Sequence, residues 1–467
     1  MRGPLANVVG HGLWYALGNA IGKAGGLLLL PIFTNAAYLS TEAYGTLGVF
    51  EVTVQIAIIV GGLQLGLAVL RFHADEQVRT SSEFTAFWTL VVLLLALAVV
   101  AWALIPAVVD PAWRTISWLL FVHTAAETLL TIPLSKVRAA GRAPVYTLLL
   151  VGRLVFVLAG TFWLVVFERQ GLQGVVMAYA LASVATLLIA VPVASGSLLL
   201  RPSIDRALLG QMVRFSLPLV LAGIGSMALN AADRYVLIAM RTAEEVALYT
   251  LAVKFGGVVN MFAAQPLQLA LFPVLFQAAE DQRAWLVASL TRISTLLFGL
   301  LTIGLVLFSE PLLAFMGADE FYWDSTGLIA WIALGFGVFG ISIIFDGVLI
   351  LFRKTGQTSF WFTVAAVMNI LLNFAVVPYL GAKGAAITTL VSYAVLLGGR
   401  IWATRGLLAV RHRVLALVGV TAMTVIVCVI ASVFELGLGL QGMSIRVGLV
   451  AVWVAVVFAA RWVDPED

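Results

Sequence analysis

Charged side chains inside long apolar stretches are the first candidates for chemistry in this sequence. They comprise four cations and four acids: Lys23, Arg153, Arg234, Lys254, Glu51, Glu127, Asp233 and Asp346. An ionisable group within an apolar span is costly to bury, so such groups commonly mark a pathway for ions or for a charged ligand. Lysine and arginine bind anionic oxygens, whereas a carboxylate can bind a proton or a sodium ion. The cations are therefore candidate ligands for an anion, and the acids are candidates for gating or ion coupling.

Two pairs of these charged residues also have structural interpretations. Glu127 and Arg153 lie at similar depth on the fourth and fifth predicted spans, which favours an ion pair that fixes packing over a functional role. Asp233 and Arg234 are neighbours near the outer end of the seventh span. Adjacent residues of a helix point about 100° apart, so we expect one of the two side chains to face a cavity and the other to face a neighbouring helix.

Three asparagines within the predicted spans are further polar candidates, and Asp346 also has a structural interpretation. Asn369 and Asn373 are one helical turn apart and share a face, and amides in an apolar setting need partners. Bonds between helices are favoured for them over contact with a bound ligand. Asn230 is a further candidate for lining a cavity or for packing. Asp346 lies close to the cations at 353 and 354, where we expect it to act as a partner at a helix end.

The composition identifies the class of protein. The chain has 467 residues, of which 62% are hydrophobic and only 11% are charged, whereas a soluble globular chain is near half apolar and about a quarter charged. This excludes a soluble enzyme, a nucleic-acid-binding domain and a disordered chain, and it leaves a polytopic membrane protein. The four histidines are scattered and Cys428 is the only cysteine, so we expect no metal site, no cofactor and no disulfide within the chain.

Apolar stretches of about 20 residues predict the transmembrane helices. We find fourteen, which predicts an all-α polytopic membrane protein: 13–36, 44–70, 84–108, 113–136, 144–167, 172–195, 212–238, 245–275, 286–307, 327–351, 358–379, 384–403, 414–433 and 443–462. Of the 27 Lys and Arg residues, eighteen fall on the side that holds both termini and five on the other side. Cytoplasmic loops are enriched in these residues, so both termini are predicted to be cytoplasmic.

The chain repeats weakly at an offset of about 200–215 residues. Gly171-Leu172-Gln173-Gly174 opens the sixth span and Gly381-Ala382-Lys383-Gly384 opens the twelfth, while Tyr44-Gly45 and Leu248-Tyr249 open the second and the eighth. Chance recurrence of small-residue turns is the alternative. Spans one to six and seven to twelve are predicted to be two copies of the same orientation, as in the lobes of some transporters. The predicted domains are an N-lobe, a C-lobe and two additional C-terminal helices: 1–200, 201–410 and 411–467.

Three groups of motifs keep a specific order and spacing over residues 13–405. They are Leu29-Leu30-Pro31-Ile32-Phe33 with Leu39-Ser40-Thr41-Glu42-Ala43-Tyr44-Gly45 and Gly66–Phe72; Asn230–Leu237 with Ala247-Leu248-Tyr249 and Lys254; and Gly356-Gln357-Thr358 with Asn369, Asn373, Pro378 and Gly381–Ala386. This pattern resembles the polysaccharide transporter family of the multidrug/oligosaccharidyl-lipid/polysaccharide exporter superfamily, which includes O-antigen-type flippases and, more distantly, lipid II flippases. The resemblance implies a two-lobed helical transporter that moves lipid-linked sugars outward by alternating access.

The resemblance also gives the intramembrane lysines a role. Lys23 lies near the middle of the first span and Lys254 about nine residues into the eighth, and both match cavity cations of the lipid II flippases. We expect them to bind the diphosphate of a polyprenyl-linked oligosaccharide, with Arg153 or Arg234 as further ligands; snorkelling or pairing with a neighbour is the alternative. Glu51 stands in the second span where that pattern has a cation, and it could bridge to Lys254 as an outer gate.

The implied function is translocation of a polyprenyl diphosphate-linked oligosaccharide from the cytoplasmic to the outer leaflet of the inner membrane, for cell-surface polysaccharide. The expected partners are this lipid-linked oligosaccharide, membrane lipids and the polysaccharide polymerase machinery, and no nucleic acid. An ion-coupled multidrug or organic-cation antiporter of the same superfamily is the alternative, but such a pump should favour an acidic cavity. A membrane-embedded enzyme of polysaccharide synthesis is less favoured, because the sequence has no long outer loop to carry catalytic groups.

Overall fold

The structure is a computed structural model that describes residues 25–73, 75–195, 202–268, 271, 275, 278–408, 414–434 and 436–460. These residues form helices and no strand. In chain order the α-helices are α1 (Leu30–Phe33), α2 (Thr41–Gly61), α3 (Leu65–Phe72), α4 (Arg79–Val108), α5 (Pro111–Ala139), α6 (Ala143–Thr161), α7 (Gly171–Ser195), α8 (Arg206–Met240), α9 (Ala243–Val259), α10 (Glu280–Phe315), α11 (Ser325–Leu351), α12 (Thr355–Thr404), α13 (Val414–Val433) and α14 (Leu440–Ala459). The π-helical turns Phe162–Phe167 and Asn260–Ala264 extend α6 and α9, and a 3₁₀ turn, Glu320–Asp324, precedes α11.

Long apolar helices confirm the predicted all-α membrane fold. Within the described part of the chain, eleven helices are long and apolar enough to cross a membrane. One of them, α12, has 50 residues and holds two predicted spans, because Gly381 interrupts it with φ 54° and ψ −137°. α13 is a further apolar helix of 20 residues, and most of the predicted span 13–36 lies outside the described residues. The fourteen predicted spans are compatible with this arrangement.

Two predicted spans have different boundaries in the structure. The second span, 44–70, is not one helix but α2 followed by α3, because Leu63 and Gln64 take left-handed φ values of 47° and 51°. That conformation cannot continue a right-handed helix. The ninth span is longer than the predicted 286–307, since α10 begins at Glu280 and ends at Phe315. Acidic residues in its first turn favour the extension through the helix dipole, which hydropathy alone does not detect.

Polar and glycine residues set where several spans begin. At the start of α2, Ser40 accepts a hydrogen bond from the N–H three residues on at 3.2 Å, and Thr242 does the same for α9 at 3.3 Å. Such caps satisfy N–H groups that have no partner within the helix. Gly171 and Gly381, which the predicted repeat aligns, both have φ of +54°, a conformation that glycine adopts without steric cost.

The chain divides into two compact units, Met1–Met227 (unit 1) and Ala228–Asp467 (unit 2), and the division falls within α8. In unit 1, α5 packs against α3 and α7, and α6 packs against α7. Gly66 of α3 permits close packing, because a Cβ at this position would lie 2.9 Å from Ser135 Oγ of α5. This packing brings polar side chains of α5, α6 and α7 together.

The central helix of unit 2 is α11, which packs against α9, α10 and α12. Its buried residues Ala333, Ile343 and Val348 share a hydrophobic core with Phe298 of α10. Gly340 of α11 faces the ring of Phe298, and a Cβ there would collide with the ring. The helices α9 and α12, which carry polar residues of unit 2, are therefore held against an apolar α11.

The last two helices, α13 and α14, pack against α10. Trp453 Nε1 of α14 donates a hydrogen bond to Thr424 Oγ1 of α13 at 3.2 Å. Arg446 of α14 is only 2% exposed and its Nη2 lies 2.6 Å from Glu310 Oε2 of α10. Cys428 of α13 is buried. Polar bonds as well as apolar contacts thus join α13 and α14 to the rest of unit 2.

Candidate functional site

A highly connected polar cluster of unit 2 surrounds Asp233 of α8. Its carboxylate accepts hydrogen bonds from the Tyr249 hydroxyl of α9, from Asn373 Nδ2 at 2.5 Å and from Thr389 Oγ1 at 2.9 Å. Asn373 and Thr389 lie on the two halves of α12, before and after Gly381. Asp233 is 1% exposed. Both carboxylate oxygens therefore have protein partners, contributed by α9 and by both halves of α12.

Asn373 connects this carboxylate to further polar groups. Its second amide hydrogen goes to Asn369 Oδ1 at 3.1 Å, and its own oxygen accepts from Thr388 Oγ1 at 2.9 Å. Asn369 and Asn373 are both fully buried. The two asparagines thus hydrogen-bond across helical segments of unit 2, which satisfies amides that would be costly to bury alone. We call the six residues the Asp233 network: Asp233, Tyr249, Asn369, Asn373, Thr388 and Thr389.

Arg234 follows Asp233 directly but has another partner. Its Nε donates a hydrogen bond to Thr250 Oγ1 of α9 at 3.2 Å, and the residue is 8% exposed. The structure therefore differs from the expectation that one of these two side chains faces a cavity, since both are buried inside unit 2. The reason is that α9 also offers two adjacent residues, Tyr249 and Thr250, so that two diverging side chains of α8 meet one helix.

A second polar cluster lies within unit 1, where α5, α6 and α7 meet. Arg153 of α6 forms an ion pair with Glu127 of α5, with 2.8 Å between Nη2 and Oε1. Ser183 of α7 donates a hydrogen bond to the same Glu127 oxygen at 2.6 Å, and its hydroxyl lies 2.9 Å from His123 Nδ1. The Tyr179 ring packs beside the imidazole, with 5.8 Å between centroids. We call His123, Glu127, Arg153 and Ser183 the His123 cluster.

The His123 cluster is not arranged as a nucleophilic catalytic triad. In a triad the base contacts the nucleophile, and the carboxylate contacts the other nitrogen of the base. Here Glu127 and His123 both contact the hydroxyl of Ser183. Ser183 is also 0% exposed, so its oxygen is closed to a substrate in this structure. The geometry instead joins two titratable groups through one hydroxyl.

Among the described residues, three further predicted site residues are not members of the clusters defined above. Lys254 lies in α9 and is half-buried, as is Glu51 in α2 of unit 1. A Cβ added at Gly257, one turn after Lys254, would meet no heavy atom of the described residues within 4 Å, so this face of α9 has space beside it. Lys23 lies outside the described residues, as does the side chain of Asn230.

Asp346 has a different partner from the expected one. Its carboxylate forms an ion pair at 3.0 Å with Arg400 of the second half of α12, and not with the cations at 353 and 354 that the sequence suggested. Arg400 is 4% exposed and its Nη1 also donates to Ser342 Oγ at 3.1 Å. Because α11 continues to Leu351 and packs along α12, Asp346 lies inside the bundle and not at a helix end.

Several members of the two clusters were not predicted from the sequence. They are His123 and four hydroxyl residues of apolar helices: Ser183, Tyr249, Thr388 and Thr389. The spacing of His123 and Glu127, four residues apart, is a signal that places both on one helical face and could have indicated the His123 cluster. In the part of the chain that the structure describes, no group of three or more His, Cys, Asp or Glu residues could hold a metal ion.

Comparison with known proteins assigns the family. The family model described as polysaccharide biosynthesis protein matches residues 8–279, more than half of the chain. The chain belongs to this family. The matched segment contains all of the His123 cluster and, in unit 2, Asp233 and Lys254. A comparison with curated protein sequences finds no significant match.

Three solved structures with a similar fold are a flippase and two transporters. A lipid II flippase, MurJ, in an inward closed conformation has a TM-score of 0.74 at 12% identity, over 97% of this chain and 100% of that chain. An outward-facing multidrug resistance MATE family transporter of the MOP superfamily has a TM-score of 0.60 at 16% identity, over 87% and 96% of the two chains. A MOP superfamily transporter from Pyrococcus furiosus has a TM-score of 0.58 at 15% identity, over 85% and 95%. The chain is therefore a multi-pass membrane protein of the polysaccharide biosynthesis family, and its fold is similar to that of these three proteins.

Proposed function

We propose that this protein is a flippase that moves a polyprenyl diphosphate-linked oligosaccharide from the cytoplasmic to the outer leaflet by alternating access, for cell-surface polysaccharide synthesis. The observation that carries the proposal is a family match to polysaccharide biosynthesis proteins joined with a fold likeness along the whole length of a lipid II flippase. The TM-score to that flippase, 0.74, exceeds the 0.60 to a multidrug transporter. This difference favours a lipid-linked substrate over a free organic cation.

Lys254 is the residue that we assign to the diphosphate. It is half-buried on a face of α9 that has space beside Gly257. An ammonium group donates charge-assisted hydrogen bonds to phosphate oxygens, and these strengthen where water is scarce. Lys23 is a second proposed ligand on the basis of the sequence alone. Arg153 and Arg234 are further proposed ligands, and each also contacts a residue of its own unit, Glu127 and Thr250 respectively.

Ion coupling is proposed at the Asp233 network. A carboxylate buried among hydroxyl and amide groups is costly as an anion, so its charge state and the packing around it depend on each other. Binding of a proton or cation at Asp233 would therefore bias the arrangement of α8, α9 and α12 relative to one another. Glu51, Glu127 and Asp346 are further proposed positions for gating or coupling.

A flipping assay in liposomes tests the proposed function. The purified protein is reconstituted with a polyprenyl diphosphate that carries a fluorescent disaccharide, and an impermeant reductant bleaches the label on the outer leaflet. We expect protein-dependent bleaching beyond the outer-leaflet fraction for this lipid, but not for phosphatidylcholine with the same fluorophore. Transport of ethidium without movement of the lipid would favour the multidrug alternative and contradict the flippase.

A lysine series tests the assigned ligand. Lys254→Ala should lower the flipping rate about tenfold to a hundredfold, because a bond to a charged group contributes about 1.5–3 kcal/mol and a factor of ten corresponds to about 1.4 kcal/mol. Lys254→Arg should retain part of the rate, since it keeps the charge, whereas Lys254→Gln should not. Lys383→Ala, at an exposed position, is the matched control. A normal rate for Lys254→Ala at normal expression would remove Lys254 from the substrate site.

We further propose that the protein lies in the inner membrane with both termini in the cytoplasm. Support comes from the eighteen loop cations on the side of the termini against five on the other side. A green fluorescent protein fused after Asp467 should be fluorescent, and alkaline phosphatase fused at the same position should be inactive. The reverse result would invert the orientation. The polysaccharide polymerase machinery is a further proposed partner, which copurification would test.

A further inference from the structure

Glu245, in the first turn of α9, contacts two other parts of unit 2 through its carboxylate. Its Oε2 accepts a hydrogen bond from the Ala382 N–H at 2.9 Å, and both Nε and Nη2 of Arg241, directly after α8, lie 2.8 Å from its Oε1. Ala382 opens the second half of α12, next to Gly381. A Cβ at Gly381 would collide with Glu245 Oε2, so the glycine lets the carboxylate approach this backbone. One side chain therefore joins α9 to the turn after α8 and to the break in α12.

The local sequence favours a different bond for this glutamate. Thr242-Ala243-Glu244-Glu245 has the pattern of a capping box, in which the glutamate reaches back to the N–H of the capping threonine. The first part of the motif forms, since Thr242 Oγ1 accepts the Glu245 N–H at 3.3 Å. The Glu245 carboxylate, however, bonds to Ala382 and Arg241. The carboxylate thus serves another helix and not its own, which indicates a role beyond capping α9.

The bond to Ala382 lies on the helical faces that also carry the Asp233 network. Tyr249 follows Glu245 by four residues, and Thr389 follows Ala382 by seven, so each pair shares one face of its helix. The Tyr249 hydroxyl lies 3.4 Å from Thr389 Oγ1, and Thr389 donates to Asp233 at 2.9 Å. α9 and the second half of α12 therefore meet at two heights, which are about 10 Å apart along α12 at 1.5 Å per residue.

The equivalent glycine of unit 1 has open space in place of a carboxylate. Gly171, which the predicted repeat aligns with Gly381, has the same φ of +54°. A Cβ at Gly171 would nevertheless meet no heavy atom of the described residues within 4 Å. A carboxylate against the glycine is thus found in unit 2, where the helix that follows the glycine contributes to the Asp233 network.

We propose that Glu245 is a positioning residue for the Asp233 network. Its bond to the Ala382 N–H fixes the start of the second half of α12 against α9, and so holds Thr389 within reach of Asp233. This role rests on the ion coupling proposed at the network, because Thr389 donates to the carboxylate at which the proton or cation would bind. The length of the Glu245 side chain is then the decisive property, since it carries the acceptor oxygen to Ala382.

A double-mutant cycle in melting temperature tests this positioning. Asp233 and Glu245 share no hydrogen-bond partner among the described residues, and substitutions at independent sites usually add. The loss in melting temperature caused by Asp233→Asn should be at most about half as large in Glu245→Ala as in the unaltered chain, because Thr389 is no longer held against the carboxylate. Glu244→Ala, at the neighbouring glutamate of the same turn, is the matched control and should leave that loss unchanged. Additive losses for Asp233→Asn and Glu245→Ala would overturn the proposal.

Two further variants separate the bond from the charge. Glu245→Gln keeps the side-chain length and one acceptor oxygen, whereas Glu245→Asp keeps the charge but is one methylene shorter. In the same cycle, Glu245→Gln should behave like the unaltered chain and Glu245→Asp like Glu245→Ala, which keeps the test decisive if the alanine variant does not fold. The reverse order would show that charge, and not the bond to Ala382, matters, and would also overturn the proposal. Melting temperatures need no transported substrate, so this failure would leave the flippase proposal standing.

Discussion

Units 1 and 2 each bury a carboxylate among polar side chains, but they stabilise it by different means. In unit 1, Glu127 pairs directly with Arg153 at 2.8 Å. In unit 2, Asp233 accepts hydrogen bonds from one phenol, one amide and one hydroxyl. The nearest guanidinium along the chain, Arg234, bonds to Thr250 instead. One carboxylate is thus balanced by a charge and the other by neutral dipoles.

The difference predicts how each cluster responds to neutralisation. An ion pair that loses one charge leaves the other uncompensated in an apolar setting, which is the costly case. A carboxylate held by neutral donors can be replaced by an amide of the same shape, which retains one of the two acceptor oxygens. Unit 2 should therefore accept an amide of the same shape at position 233 better than unit 1 accepts one at position 127. The following experiments compare the two units, from the largest expected effect to the smallest.

Removal of the carboxylate at Asp233 should have the largest effect. Asp233→Ala leaves the donors of Tyr249, Asn373 and Thr389 unsatisfied, at about 1–3 kcal/mol for each buried group, so we expect a loss of at least about 3 kcal/mol in the free energy of unfolding. Asp233→Asn keeps the shape and one acceptor oxygen and should lose less than half as much. Thermal unfolding in detergent measures both. Equal losses for the two variants would show that charge, not hydrogen bonding, holds the network.

Alanine substitutions at the two left-handed glycines, Gly171 and Gly381, should have the next largest effect on stability. Alanine in this conformation costs roughly 1–2 kcal/mol, and Gly171→Ala should lose about that amount because a Cβ there would meet nothing within 4 Å among the described residues. Gly381→Ala should lose more, since its Cβ would collide with the Glu245 carboxylate that accepts the Ala382 N–H at 2.9 Å. Gly356→Ala, at an ordinary helical position with open space, is the control and should be neutral. Indistinguishable melting temperatures for the 171 and 381 variants would contradict the comparison.

Neutralising Arg153 should have a moderate effect. Its side chain is 33% exposed, so solvent screens part of the pair and we expect Arg153→Ala to lose about 1–2 kcal/mol, less than a fully buried pair. Ser183 still donates to Glu127 in this variant. A double-mutant cycle with Glu127→Gln isolates the pair from other effects. A coupling free energy near zero would mean that the ion pair does not stabilise unit 1.

Two arginines that bind turns between helices should have the smallest effect. In unit 1, Arg169 Nη1 donates to the Ala37 carbonyl at 2.7 Å. In unit 2, Arg241 pairs with Glu245 at 2.8 Å. Both arginines are exposed, so substitution of either by alanine should change the free energy of unfolding by less than about 1 kcal/mol. A larger change at one of them in thermal unfolding would identify a turn that holds its unit together.

The sequence predicts the fold far better than it predicts the clusters. Apolar runs of span length report burial in lipid directly, so the helices could be found one by one. The partners of buried polar side chains are harder to predict, because they are distant along the chain. Asp233 and Asn373 are 140 residues apart, and Asp346 and Arg400 lie on different helices. Hydropathy does not indicate which faces of two helices pack against each other. The break at Leu63 and Gln64 was also invisible, since both are ordinary residues in an unusual conformation.

Cys428 has a practical consequence for chemical mapping. It is the one cysteine of the sequence, and it is buried in α13 with 4% of its surface exposed. A water-soluble maleimide should therefore label Cys428 only weakly in the native chain. Labelling of a cysteine introduced at any turn would then be measured above this weak signal. The unaltered sequence can thus serve as its own unreactive parent in experiments that ask which side of the bilayer each turn faces.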